Sequence, residues 1–454
     1  MKPVNPRNLA LQALNKSFRR PSVSDEILND VFHRHPALDH RDVSFLNQLV
    51  KGVMRWRLRL DWIIEQFADQ PLRKIDPFIL NILRMAVYQI LFLDRIPESA
   101  AVNEAVNQTK GNKSTRHAAR FVNGILRRIC RQKDEISFPD RDKDTIQYLS
   151  VIHSYPKWLV KKWVQEIGIE AAESLLSSQN LISEINIRVN TLKIDRPRFI
   201  ERLAGEGVIG RPTPYSPEGV VLEDFKGRID ALPSFKQGFF QVQDQAAQIA
   251  SHLLQSRPGD TILDVCAGLG GKSTHLAQLT EDRGRIVALD NNLNRLINLG
   301  RNADRLDINS IFPIIGDASL SLLSLFQRPF DSILVDAPCS GLGVLSRHPD
   351  GKWNRDEDDI KRLAVIQKKI LSQAASVLRK GGRMLYVTCT ISKQENEEVV
   401  TDLLEHNKWI SLEDLKEHVP DWGKGLINGQ GFLKTFPHVH QMDGFFGAFF
   451  VKLS

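Results

Sequence analysis

Apolar residues recur at helical spacing through the first third of the chain. Leu9, Ala10, Ala13 and Leu14 fall on one face, as do Phe45, Leu49, Val53 and Trp56, then Ile79, Ile82, Leu83, Ala86 and Val87. Pro71, Pro77 and Pro97 stand where helices are expected to begin. A last helix is predicted from Thr115 to Arg131, with Ala118, Val122, Ile125, Leu126 and Ile129 inward and its arginines outward. Strand-like alternation is scarce, so residues 1–138 are expected to form an all-helical domain.

Residues 132–150 are polar and read as a linker. From 150 to 235 helical stretches (157–167, 169–177, 196–206) alternate with strand-like runs at 185–189 and 219–222, which predicts a small α+β module. From 236 to 454 the rhythm becomes strand, loop, helix. Strands are expected at 261–265, 285–289, 312–315, 332–335 and 383–387, with helices at 273–279, 293–306, 358–378 and 394–406. That alternation predicts a parallel, doubly wound α/β sheet. The apolar end, 444–453, suits a final strand.

Composition narrows the class. Hydrophobic residues make up 42% and charged residues 25% of 454 residues, an ordinary globular balance that excludes a disordered or fibrous chain. No apolar run reaches the ~18 residues that span a bilayer, and the first residues carry no apolar export signal. Four cysteines (130, 266, 339, 389) make neither a disulfide framework nor a CxxC metal site, so no metal is expected. The expected protein is reduced, cytoplasmic and monomeric.

The net charge of +7 is unevenly spread. Residues 1–138 hold 23 basic and 14 acidic side chains, so the excess belongs to the helical front. Lys110, Lys113, Arg116, Arg120, Arg127, Arg128, Arg131 and Lys133 follow one another with no acid between them. A basic run is most often a solvated helix face, but one this one-sided on a basic domain points to a polyanion. Lys110, Lys113, Arg116, Arg120 and Arg127 are the candidate contacts to it, and charge alone does not separate RNA from DNA or an acidic protein.

The first strand of the α/β region runs into Cys266-Ala267-Gly268-Leu269-Gly270-Gly271-Lys272. Its glycines let the backbone approach a ligand and open a helix. A Walker A loop would need glycine where Cys266 stands, and a dinucleotide fingerprint would need glycine where Ser273 stands. What remains is an adenosine ligand without a pyrophosphate to cradle. Asp290, at the end of the second strand, suits ribose hydroxyls, and Asp317, at the end of the third, suits the adenine amine. S-adenosylmethionine is the cofactor that fits. Each feature alone has a plain reading as a turn or a helix cap; three at successive strand ends are harder to dismiss.

The fourth strand ends in Asp336-Ala-Pro-Cys339 and the fifth in Thr388-Cys389-Thr390, at the edge where open α/β sheets bind ligands. A lone cysteine is usually a small buried hydrophobe, the preferred reading for Cys130 and for the Cys266 side chain. Cys339 and Cys389 read as chemistry. Carbon 5 of a pyrimidine is a poor nucleophile, and a thiolate adding to carbon 6 activates it. A base must then take the carbon-5 proton so that the thiolate can leave. Asp336 could bond the cytosine edge. The residues alone leave open which cysteine attacks.

The Asp-Ala-Pro-Cys-Ser-Gly (336–341) and Thr-Cys-Thr (388–390) motifs, after the 266–272 loop, resemble the RNA cytosine-5 methyltransferases of the Nop2/Sun family. Arg347-His-Pro-Asp-Gly-Lys-Trp353 and Asp443-Gly-Phe-Phe446 are similar to that family too. The helical front, notably residues 112–124, resembles the RNA-binding fold of the antitermination factor NusB. The resemblance implies Cys389 as nucleophile and Cys339 as the group that assists release. It implies a cofactor held by residues 266–272, Asp290, Asp317 and Asp336, with Lys272 near the methyl donor or the base. It also implies an RNA-recognition-like middle module and, as substrate, one cytosine of 16S ribosomal RNA, free or in an assembly intermediate. Gly268-Leu269 depart from the family's Ala-Pro, which removes a proline's stiffening of the loop. The competing readings are cytosine-5 methylation of transfer RNA, a non-catalytic RNA-binding assembly factor, and an antitermination module with an appended domain.

Overall fold

The helical periodicity of the first third becomes α1 (Pro6–Arg19), α2 (Ser24–Arg34), α3 (His40–Phe67), α4 (Pro77–Phe92), α5 (Glu98–Gly111) and α6 (Ala119–Gln132). This computed structural model describes residues 5–19 and 24–453. The prolines act as the sequence suggests: Pro77 opens α4 behind the Asp76 cap, and Pro97 is the N-cap of α5. Asp39 caps α3 by accepting from the Asp42 amide. The side chains expected inward on the last helix are buried, although its first turn, Arg116–Ala118, is 3-10.

Two units divide the chain. The first runs to Leu181 and includes Leu345–Asn354; the second holds Ile182–Val344 and the chain from Arg355. Three helices counted in the sequence with the linker and the α+β module, α7 (Thr145–His153), α8 (Lys157–Ile167) and α9 (Ile169–Ser178), fall in the first unit. The reason is local bonding to α3: the Ser154 hydroxyl accepts from the Leu58 amide at 2.9 Å. The 345–354 segment completes this unit. Lys352 is fully buried, with Nζ 2.6 Å from Asn180 Oδ1 and 3.5 Å from the Tyr155 ring centroid. Burial holds its ammonium well below the usual lysine range.

The second unit begins with an antiparallel sheet, β1 (Ile185–Val189), β2 (Gly210–Pro212), β3 (Gly219–Leu222) and β4 (Phe240–Val242), in the order β2-β3-β1-β4. Its apolar side packs on α10 (Arg196–Gly205) through Phe199 and Leu203, with Ile187, Val189, Val220 and Phe240 beneath. α11 (Pro233–Lys236) leads into β4.

The large sheet holds β5 (Thr261–Val265), β6 (Arg285–Asp290), β7 (Ile311–Ile315), β8 (Phe330–Asp336), β9 (Leu378–Thr388), β10 (Ile410–Glu413), β11 (Leu433–Thr435) and β12 (Phe445–Lys452). Its order is β10-β12-β9-β8-β5-β6-β7, with β11 beside β12. β5 to β9 are parallel, as the alternation predicted; β12 runs antiparallel to β9, so that edge is mixed. α12 (Gln245–Leu253), α13 (Gly271–Leu279), α14 (Leu293–Leu306), α15 (Leu322–Leu325), α16 (Glu357–Ser376) and α17 (Glu397–His406) supply the covering layers. One apolar layer joins Leu263, Val265, Ile333 and Val335 to Ile370 and Leu371; the other joins Ile262 and Leu334 to Ile249, Leu253 and Leu276. Burial on both faces makes the parallel strands almost continuously apolar. β5 lies between β8 and β6, so the chain order reverses there and a crevice opens at the carboxyl ends.

Candidate functional site

The loop after β5 sits at that crevice. Cys266 takes a left-handed backbone, φ 64°, and Gly268 another, φ 58°. The turn is held by two bonds to β6: Ala267 N donates to Leu289 O, and Gly268 N donates to Asp290 Oδ2, both at 2.9 Å. Gly270, φ 78°, caps α13, and a Cβ there would lie 2.4 Å from Leu299 Cγ. At Gly268 an added Cβ would find only Cys266 O, at 4.0 Å, so the loop backbone faces open space. Leu269 is exposed. Burial, then the Asp336 charge, pushes the Cys266 thiol upward and disfavours its thiolate.

Four acids meet this loop in different ways. Asp290 is buried and spends one lone pair of each oxygen on an amide, Gly268 N and Asn292 N at 2.8 Å, leaving one on each. Asp317 is exposed; Oδ1 takes the Ser319 amide and hydroxyl, which hold its carboxyl below the usual range. Asp336 ends β8 with Oδ2 2.6 Å from Lys272 Nζ. Burial opposes the charge on Lys272, but Asp336, and then the Cys389 sulfur, hold its ammonium above its usual range. Its Nζ also lies 5.1 Å from the centroid of the Phe445 ring. The fourth acid, Asp264, drew no role from the sequence. It is fully buried at the end of β5, accepts the Ser273 hydroxyl at 2.5 Å and leaves Oδ1 without a partner. Burial pushes its carboxyl up to about 7.

Cys339 and Cys389 come together, Sγ to Sγ, at 3.1 Å. Hydrogen bonding to the Cys389 sulfur, then burial, then the charges of Cys389 and Glu395 hold the Cys339 thiol far above its usual range. The two sulfurs are within hydrogen-bond distance, and either can be the donor. Gly343 makes the close approach possible. Its amide donates to Cys389 O at 3.0 Å and its carbonyl accepts from Gly444 N at 2.8 Å, while a Cβ would sit 2.0 Å from Gly444 O. The Asp443-Gly-Phe-Phe446 run thus backs the cysteine loop. Thr388 is fully buried and bonds Asn396 at 2.6 Å. His348 pairs with Asp25 at 2.9 Å inside the first unit.

Sequence reasoning also missed Arg188, fully buried on β1. It donates to Gln278 Oε1 at 2.8 Å, Thr274 Oγ1 at 2.9 Å and Gly271 O at 2.7 Å, and to Gln243. It grips the first turn of α13 from the small sheet. Nearby, Glu218, His252 and His275 bring their ligating atoms within 4.8 Å of one another. Glu218 also carries the charge that opposes Arg188, and burial and Arg188 pull His275 down to about 3. The carboxylate is thus already a counter-ion to a fixed cation.

On the first unit, Lys110, Arg116, His117, Ala119 and Arg120 line an open groove of about 600 Å³. Lys113 and Arg127 are exposed outside that lining. Arg128 pairs with Asp69 at 3.1 Å and Lys133 with Glu98 at 3.0 Å, so two cations of the basic run are spent internally.

Three family profiles match. Residues 251–451 fit one described as 16S rRNA methyltransferase RsmB/F, residues 4–131 the NusB family, and residues 155–227 a ferredoxin-like domain of RsmF/B-like methyltransferases. A probable ribosomal RNA small subunit methyltransferase B of Bacillus subtilis (strain 168) is 34% identical over 98% of both chains. A probable counterpart in Synechocystis (strain ATCC 27184 / PCC 6803 / Kazusa) is 35% identical over 98% of this chain and 99% of its own. Among solved structures, that of PH0851 has a TM-score of 0.82 at 26% identity over 99% of both chains. NSun6 from Pyrococcus horikoshii with SFG has a TM-score of 0.58 at 26% identity, over 67% of this chain and 100% of its own. With full-length likeness to such relatives and all three profiles in sequence order, the chain belongs to the ribosomal RNA small subunit methyltransferase B family.

Proposed function

We propose that this protein transfers a methyl group from S-adenosylmethionine to carbon 5 of a cytosine in 16S ribosomal RNA. The observation that carries the reading is the cysteine pair, 3.1 Å apart, beside the Lys272–Asp336 ion pair. The 266–272 loop, with open space at Gly268, and the spare lone pairs of Asp290, Asp317 and Asp336 form a donor set that fits an adenosine ligand. When bound, S-adenosylmethionine supplies an electrophilic methyl group.

Cys389 adds through Sγ to carbon 6 of the cytosine, and the ring's 5,6 double-bond electrons become available at carbon 5. Asp336 accepts from the cytosine amino edge, and Lys272 holds its Oδ2 in place. After methylation Cys339 takes the carbon-5 proton. The C–H electrons re-form the 5,6 double bond, and the Cys389 sulfur leaves with its own pair. Cys339 does so as a thiolate: once Cys389 is bound to carbon 6 it no longer shares the thiol proton, which passes from Cys339 to water before Cys339 acts as base. The groove of Lys110, Arg116 and Arg120, with Lys113 and Arg127 beside it, contributes phosphate contacts.

The test is incubation of the full chain with methyl-labelled S-adenosylmethionine and unmodified 16S RNA, resolved on a denaturing gel. Cys389→Ala should neither methylate nor form an RNA–protein adduct. Cys339→Ala should trap one. An adduct in Cys389→Ala would reverse the two roles. Absence of label transfer to this RNA by the wild type would refute the reading.

A further inference from the structure

Six residues past Cys389 in the chain lies a carboxylate with no place in the chemistry above. Glu395 is fully buried. Its Oε1 accepts from Ser340 N at 2.8 Å and from Gln367 Nε2 at 3.1 Å. Its Oε2 accepts from Ser340 Oγ at 2.5 Å and from Thr390 Oγ1 at 3.3 Å. With the Ser340 proton on Glu395, the single Thr390 hydroxyl proton is shared between Oε2 and Ser340 Oγ, 2.8 Å away. Ser340 follows Cys339, and Thr390 follows Cys389. Gln367 also donates to Pro338 O at 2.9 Å, so both flanks of Cys339 are tied to the carboxylate. The Glu395 carbonyl is fixed in turn by Tyr386 Oη at 2.6 Å, on β9.

A buried carboxylate is costly unless its lone pairs are satisfied. Here the donors belong to the two loops that carry the sulfurs and to a glutamine braced against one of them. We infer that Glu395 is a positioning residue: its carboxylate clamps the loops after Cys339 and Cys389 together and sets the separation of the two thiols. This rests on the cysteine mechanism proposed above. Its negative charge also faces Cys339 and raises that thiol, which makes the sulfur a stronger base once ionised.

Two readouts separate this from a general structural role. The first is independent of turnover. Phenylarsine oxide bridges two thiols held a few ångström apart, forming two As–S bonds and releasing its oxygen, with both thiol protons, as water. The wild type should be captured as a one-to-one adduct, and Glu395→Ala should lose that capture while still binding S-adenosylmethionine. The second is kinetic. Glu395→Ala should lose about tenfold to a hundredfold in kcat, keep KM for S-adenosylmethionine within about twofold, and accumulate the RNA–protein adduct as Cys339→Ala does.

Glu395→Gln preserves the shape, with its amide oxygen accepting from Ser340 N and its amide nitrogen donating to the two hydroxyls. It should be captured like the wild type, with the acidic limb of its kcat profile, on which Cys339 ionises, moved to lower pH as the charge beside Cys339 disappears. This variant decides the matter if the alanine variant fails to fold. Wild-type capture and kcat in Glu395→Ala, or an unmoved limb in Glu395→Gln, would overturn the inference. A wild type that is captured by the arsenical but methylates no RNA would instead refute the proposed function and leave the clamp standing.

Discussion

Asp264 offers a quantitative test of the cofactor loop. Its carboxyl lies beneath that loop, fully buried, and titrates at about 7 in the folded chain against an ordinary 3.8. The folded value is the higher one. Below pH 3.8 both folded and unfolded states hold the proton and stability is intact. As pH rises toward 7 the unfolded chain ionises freely while the folded one cannot, so stability falls; above about 7 the loss is complete. A shift of that size is worth about 4 kcal/mol at most. An asparagine at this position cannot ionise and still accepts the Ser273 hydroxyl, but it buries an amide without a sure partner, at a cost of about 1–3 kcal/mol. Asp264→Asn should therefore be the less stable protein at about pH 4 and the more stable at about pH 8, by roughly 1–3 kcal/mol. A two-unit chain need not melt in one step. The assay is thus peptide-resolved hydrogen exchange across residues 261–279 at several pH values, which reports local opening. A difference between variant and wild type that does not change with pH would refute the argument.

Other tests address other parts of the molecule. Gly270→Ala places a side chain at φ 78° and a Cβ 2.4 Å from Leu299 Cγ, and should cost about 1–3 kcal/mol in thermal unfolding, with weaker cofactor binding in calorimetry. His275, pulled down to about 3, holds stability that is present above its unfolded value of 6.5 and is lost as pH falls toward 3; His275→Gln should flatten that acid-side decline in urea midpoints. Arg116→Ala with Arg120→Ala should weaken RNA binding and reduce the salt slope by about 0.7 for each phosphate of a single strand left unneutralised, read by filter binding from low to high salt. Arg188→Met should raise the dissociation constant for S-adenosylmethionine by about tenfold or more while the small sheet survives, because the Gly271 carbonyl loses its clamp.

The sequence was most legible where a pattern is local. The apolar runs of β5, β6, β8 and β9 mark themselves, and the acids and cysteines that follow them are placed by the rule that ligands meet strand carboxyl ends. β2, β4 and β11 have three residues each, too few for an alternation to show. Arg188 looked like any strand arginine, since its partners stand 55 to 90 residues further on. Glu395 sat in a polar run, Lys-Gln-Glu-Asn-Glu-Glu, whose plain reading is a solvated helix start. Nothing local distinguishes the one acid that turns inward. The grouping of α7–α9 with the helical front was hidden too, because it depends on single bonds such as that from Leu58 to Ser154.

The segment 345–354 has a consequence for how the chain is made. Arg55 bonds Ser346 at 2.7 Å, Met54 receives the Trp353 indole at 2.7 Å, and Ser24 meets Asp350 at 2.7 Å. The first unit therefore lacks part of its interior until the ribosome has passed Asn354, well after Leu181 has been synthesised. At ordinary elongation rates that interval is roughly 10 to 30 s. During it Tyr155, Asn180 and the carbonyls around them wait in water for a lysine encoded much further along the message. Folding of the amino-terminal part is thereby timed by translation of the carboxyl-terminal part, and a ribosome stalled before that codon would hold a nascent chain whose first unit is unfinished.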